Sequence, residues 1–96
     1  MSKLIHIGFG NVVNEEKITA IVHPEAAPIK RMVSRAREEN LVVDATHGRK
    51  TKSVIVMEGK QLILSALLPD TIYSRAERKA GEDAPEQDIY EEESDG

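Results

Sequence analysis

Arg49, Lys50 and Lys52 put three cations in four positions directly after Gly48, in the stretch Thr46-His47-Gly48-Arg49-Lys50-Thr51-Lys52. Cations at that density, beside a residue that lets the backbone turn tightly, suit the chemistry of holding a polyanion. Phosphate contacts need positive groups in fixed register. β-forming runs flank the stretch: Leu41-Val42-Val43-Asp44-Ala45 before it and Ser53-Val54-Ile55-Val56-Met57 after it. The pattern predicts a β-hairpin with the cations in its loop. The plainer alternative is a solvated hairpin tip, where lysine and arginine commonly lie. Further cations at Lys30, Arg31, Arg35 and Arg37 weigh toward polyanion binding.

A formal net charge of −4 argues the other way until its distribution is considered. Residues 1–79 hold all 13 Lys and Arg against 9 acids, which leaves +4, whereas residues 80–96 hold 8 acids and no base. The acidity therefore belongs to the C-terminal stretch. Residues 82–96 have almost no apolar content, so residues 81–96 are expected to be a disordered acidic tail behind a basic domain over residues 1–80. Such a tail is often only a solubilising extension. A sharper expectation is that it mimics phosphate and competes with nucleic acid for the basic surface.

Other candidate sites carry less. Gly8-Phe9-Gly10-Asn11 lacks the third glycine and the following helix of a dinucleotide fingerprint. Gly48-Arg49-Lys50-Thr51 lacks the upstream glycine and the Gly-Lys-Ser/Thr order of a phosphate-binding loop, so an NTPase is rejected. His6, His23 and His47 are the three histidines, with Asp44 near the last, and their spacing does not gather the three or four ligands a metal needs. There is no cysteine, hence no disulfide, thiolate site or cysteine nucleophile. No serine lies in a nucleophile elbow, and Glu15-Glu16 and Glu38-Glu39 suit a turn and a helix end. The expectation is a non-enzyme with no metal, cofactor or small-molecule substrate.

The elements that must position the loop follow from pattern. Ninety-six residues with three aromatics make one small domain with an aliphatic core. Leu4, Ile5 and Ile7 predict a first strand, and Gly8-Phe9-Gly10-Asn11 a turn or bulge. After Val12 and Val13 comes a polar turn at residues 14–16, and residues 17–23 predict strand two. Pro24 and Pro28 stop that strand and start a helix whose Ile29, Met32, Val33 and Ala36 fall at i, i+3, i+4 and i+7. Asn40 ends it. Residues 41–46 and 53–57 form the hairpin, residues 58–60 a tight turn, and residues 61–68 strand five. Pro69-Asp70-Thr71 opens a short helix ending near Gly81. The order is ββαβββα, an α+β fold with a small antiparallel sheet covered by one main helix. Exposed sheet edges and a modest core favour a homo-oligomer. No apolar run is long enough to span a membrane, and the N-terminal apolar run is too short for a signal peptide, so a soluble cytoplasmic protein is expected.

Several pieces taken together resemble the RemA family, small bacterial regulators of extracellular-matrix genes. They are Ile7-Gly8-Phe9-Gly10-Asn11, Pro24-Glu25-Ala26-Ala27-Pro28-Ile29-Lys30-Arg31-Met32, Asp44-Ala45-Thr46-His47-Gly48-Arg49, Val54-Ile55-Val56-Met57, Ile63-Leu64-Ser65 and Pro69-Asp70-Thr71. The resemblance implies a transcriptional regulator that binds double-stranded DNA without a helix-turn-helix. It also implies a β-rich domain similar to the LytTR DNA-binding domain and a ring-like homo-oligomer. The family's DNA contacts would fall on Lys17, Arg49, Lys50 and Lys52. At 17, 50 and 52 this chain has lysine where arginine is common in relatives, which preserves phosphate attraction better than base readout. The expected mechanism is a grip on the duplex backbone, with Arg49 first in rank, Lys50, Lys52 and Lys17 adding charge, and Gly48 shaping the turn. RNA binding and a non-catalytic scaffold or protein-interaction module are the other readings, the first weakened by scarce aromatics.

Overall fold

A computed structural model describes residues 3–77. The acidic stretch 81–96, with the expectation of disorder there, lies outside the described residues. The elements are strands β1 (Leu4–Gly8), β2 (Asn11–Asn14) and β3 (Ile18–Val22), helix α1 (Ala27–Glu38), strands β4 (Val42–Asp44), β5 (Ser53–Met57) and β6 (Leu62–Ser65), and helix α2 (Pro69–Ala76). Single 3-10 turns occupy Glu15–Lys17 and Glu58–Lys60. The class is α+β with two helices, as expected.

Two layers, one on each face, cover a four-stranded sheet of order β3-β5-β6-β4. Alternation along β5 and β6 divides the core. Val54, Leu62 and Leu64 face α1, which covers them with Ile29, Met32, Val33 and Ala36, the four residues whose spacing predicts its buried stripe. Ile55 and Ile63 face the other way, onto Ile5, Ile7 and Val13 of the two-stranded β1-β2 ribbon and Ile72 of α2. A register shift between Ile18 and Ala20 in β3 brings both Ile18 and Ile21 onto this second face. Ile55 and Ile72 are fully buried, so truncating either to alanine removes about 2–5 kcal/mol of stability.

Helix boundaries follow the predicted punctuation. Pro28 stands in the first turn of α1, and Asn40 lies just past its end at φ 60°, the left-handed conformation that stops a helix. α2 begins at Pro69 and closes at Ala76, short of the expected end near Gly81.

Three expectations about strands are corrected. Residues 11–14 form a strand of their own, β2, paired antiparallel with β1. The sheet is mixed rather than antiparallel, since β4 pairs with β6 in parallel. Consequently β4 and β5 form no hairpin: β6 lies between them. The reason is burial. β5 and β6 are apolar on both faces and take the centre, whereas short β4, with Val43 and Asp44 exposed, suits an edge.

Candidate nucleic-acid interface

Because β4 and β6 run parallel and β5 returns antiparallel, the basic loop spans the C-terminal end of β6 instead of closing a tight turn. Both of its feet stand on β6. Ala45 N–H donates to the Leu64 carbonyl at 2.9 Å, and Lys52 N–H to the Ser65 carbonyl at 2.8 Å. The ground beneath is fixed by two fully buried serines. Ser65 Oγ donates to the Ile7 carbonyl at 2.8 Å and accepts from Leu67 N–H at 3.1 Å, while Ser53 Oγ donates to the Leu67 carbonyl. Each hydroxyl meets a backbone group that would otherwise be buried without a partner.

The entry to the loop is locked by a carboxylate. Thr46 N–H and Oγ1–H donate to Asp44 Oδ1 at 2.9 and 2.6 Å. These bonds, the side-chain one first, hold the Asp44 carboxyl below its ordinary range against a small opposing effect of burial, and the nearby Arg37 charge acts in the same direction. Arg49 N–H then donates to the Thr46 carbonyl at 3.0 Å across His47 and Gly48, whose φ values are 57° and 82°. Two consecutive positive φ angles make this a type I′ turn. A Cβ on Gly48 would meet nothing within 4 Å, so glycine is required there by the backbone angle and not by crowding.

The aim of Arg49 depends on a residue far away in the chain. The β1–β2 turn places Gly8, Phe9 and Gly10 all at positive φ and is closed by Asn11 Nδ2 donating to the Gly8 carbonyl at 3.0 Å. It delivers the Phe9 ring onto His47, with centroids 4.9 Å apart and planes 22° from parallel. Arg49 Cζ lies 5.9 Å from the same ring centroid, within cation–π range and worth about 0.5–1 kcal/mol at an exposed site. Phe9, whose left-handed backbone is unusual for a bulky side chain, thus helps hold the loop. Sequence reasoning treats this glycine pair as a structural turn and misses its link to the loop. The visible clue is a rare aromatic between two glycines.

The loop holds Arg49, Lys50 and Lys52 together, and two of the helix cations noted in the sequence lie beside it. Lys30 and Arg37 of α1 line the same groove as Thr51. The fold does not bring Lys17 to them. Lys17 belongs to the 3-10 turn before β3, beside the partners Ile18 and Met57, whereas the loop joins β5 at Ser53. Four strand steps separate these ends by about 14 Å. Lys17 Nζ also lies 3.7 Å from Glu58 Oε1, in an ion pair with both side chains about 60% exposed. Among the described residues, no group of His, Cys, Asp or Glu has the size and arrangement to hold a metal ion. No helix among them is long and apolar enough to cross a membrane.

The family model described as RemA-like, extracellular matrix regulatory protein A-like, matches residues 4–76, which include the loop, its feet on β6 and the Phe9 turn. The chain belongs to the RemA-like family. A relative from Lachnoclostridium phytofermentans is 58% identical over 79 residues, covering 82% of this chain and 87% of its own. One from Acetivibrio thermocellus is 50% identical over 89 residues, covering 93% and 96%. Another from Brevibacillus brevis is 51% identical over 80 residues, covering 83% and 93%. Each is named in words that go no further than a regulatory protein. Membership in this RemA-like family supports a regulatory role.

Proposed function

We propose that this chain is a cytoplasmic DNA-binding transcriptional regulator that acts as a homo-oligomer and holds the phosphate backbone of a duplex with the loop above β6. The observation that carries the reading is the loop itself. Three cations stand on a backbone tied to β6 at both feet, with Asp44 fixing its entry and Phe9 beneath Arg49. A guanidinium held in place loses less freedom on gripping phosphate and can do so bidentately. Lys50 and Lys52 add charge, and Gly48 shapes the turn. Lys17 gives a second, weaker contact at the other end of β3.

Few cations per copy make each contact weak, so affinity rests on repetition around an oligomer through effective concentration. Exposed Leu4, Val12, Val43 and Tyr73, with the open edges of β3 and β4, are suitable surfaces for that assembly. The loop runs directly into β5 and not into a recognition helix, so selectivity would come from DNA shape and bendability. Solution mass with and without a duplex of about 50 base pairs tests the reading, since many copies per duplex are what repeated backbone contacts require. A mass shift to a complex of several copies on one duplex is expected. A stable oligomer that never shifts would favour the scaffold reading, and preference for duplex RNA the RNA-binding one.

A further inference from the structure

Helix α1 lies across the strands beneath it, so its two flanks look toward opposite ends of the sheet. On one flank, Lys30, Ser34 and Arg37 border Thr51, Val54 and Leu64, where the basic loop stands on β5 and β6. On the other, Arg35 and Glu39 border Val56, Lys60 and Leu62, at the far end of the same two strands. The helix cations are therefore not equivalent. Lys30 and Arg37 belong to the loop end, whereas Arg35 stands at the other end in a groove that also holds an acid.

Spacing makes the loop-side flank a row. Residues 30, 34 and 37 fall at i, i+4 and i+7, so they share one face, and Lys30 and Arg37 lie about 10 Å apart along the axis. All three are exposed. Among the described residues lining this groove, both charged ones are cations, and Ser34 and Thr51 add hydroxyl donors. The row ends beside the loop, since the Arg37 charge acts on the Asp44 carboxylate that locks the loop's entry.

We infer that Lys30, Ser34 and Arg37 form a second contact for the phosphodiester backbone, continuing along α1 from the part of the duplex held by Arg49, Lys50 and Lys52. The helix backbone keeps these donors in fixed register, which a regularly charged polymer requires. The contact raises the cations that each copy offers from three to five. It rests on the DNA-binding reading and adds the direction in which the duplex leaves the loop.

The salt dependence of duplex binding by the full-length chain tests it, with thermal unfolding to confirm that each variant folds. The double variant Lys30→Gln, Arg37→Gln should lower the slope of log affinity against log salt by about 1.8 for each copy in contact. The pair Arg35→Gln, Lys60→Gln removes the same charge from the far groove and should lower it by less than about 0.5. Because Arg37 also acts on Asp44, Lys30→Gln is measured alone and should account for about half of the loss. Equal losses from the two pairs would reduce the row to net charge and overturn it. An intact slope in Lys30→Gln would overturn it too, leaving Arg37 as a support of the loop. Inorganic phosphate that saturates the Ser34 and Thr51 amide shifts, with both slopes unchanged, would assign the row to a small phosphorylated ligand instead. In each of these cases a slope that still falls in Arg49→Ala leaves the DNA reading standing; a chain that binds no duplex removes that reading and the row with it.

Discussion

The two ends of the four-stranded sheet both present cations, yet they hold them in different ways. At the loop end, Arg49 follows a turn whose backbone bonds, Asp44 carboxylate and Phe9 ring all restrict where its guanidinium can go. At the far end, Lys17 closes a single 3-10 turn and shares its charge with Glu58 in an exposed pair. Such pairs add little to stability. For a phosphate ligand, Glu58 is a competitor already in place. The difference teaches that counting cations is a poor guide to an interface. The supports beneath them decide which ones keep their charge and direction available.

The largest effect should come from removing those supports. Ser65→Ala takes away the donor to Ile7 and the acceptor for Leu67 in a fully buried position, and should cost about 2 kcal/mol or more of unfolding free energy. Lys17→Ala, made at the exposed end, should stay within about 0.5 kcal/mol. Denaturant titration of both variants checks the contrast, and equal losses would erase it.

Next is Phe9→Leu. It keeps an apolar side chain but removes the stack on His47 and the ring under Arg49. Duplex affinity should fall roughly fivefold, the equivalent of about 1 kcal/mol per copy. Fluorescence anisotropy measures it, with thermal unfolding to separate affinity from folding. An unchanged affinity would show that Phe9 does not aim Arg49.

How much of this was legible in the chain depends on sequence distance. The buried stripe of α1 is local, and Ile29, Met32, Val33 and Ala36 declare it at helical spacing. The cations of the loop are equally plain. What pairs with β4 is not local: its partner β6 begins at Leu62, beyond both β5 and a turn, so two neighbouring β-forming runs read as a hairpin. The Phe9 contact joins residues 38 positions apart, and the Ser65 bond to Ile7 spans 58. Only folding brings those together. How far Lys17 lies from the loop is hidden for the same reason, because that distance depends on the register of β3 against β5.

A smaller effect should follow from pH. The Asp44 carboxyl titrates below its usual value of 3.8 because its ionised form accepts both Thr46 bonds. A lowered pKa means stabilisation that is present in full above the unfolded value and lost as pH falls through the folded one. The loop should therefore keep its order from pH 7 to about 5 and loosen only below about 4. Amide exchange at Thr46 and Arg49 follows it, and loosening near neutral pH would assign the lock to another group. Smallest of all, Glu58→Gln releases Lys17 from its ion pair and should steepen the salt dependence of duplex binding by less than about 1.

The most direct test sets the two ends against each other in one measurement, the slope of log affinity against log salt for duplex DNA. Arg49→Ala should weaken binding to all sequences alike and reduce the slope by roughly 0.9 for each copy in contact. Lys17→Ala should reduce it by clearly less. Equal reductions, or an Arg49→Ala variant that alters sequence preference while leaving the slope intact, would contradict the claim that the supported loop is the phosphate grip.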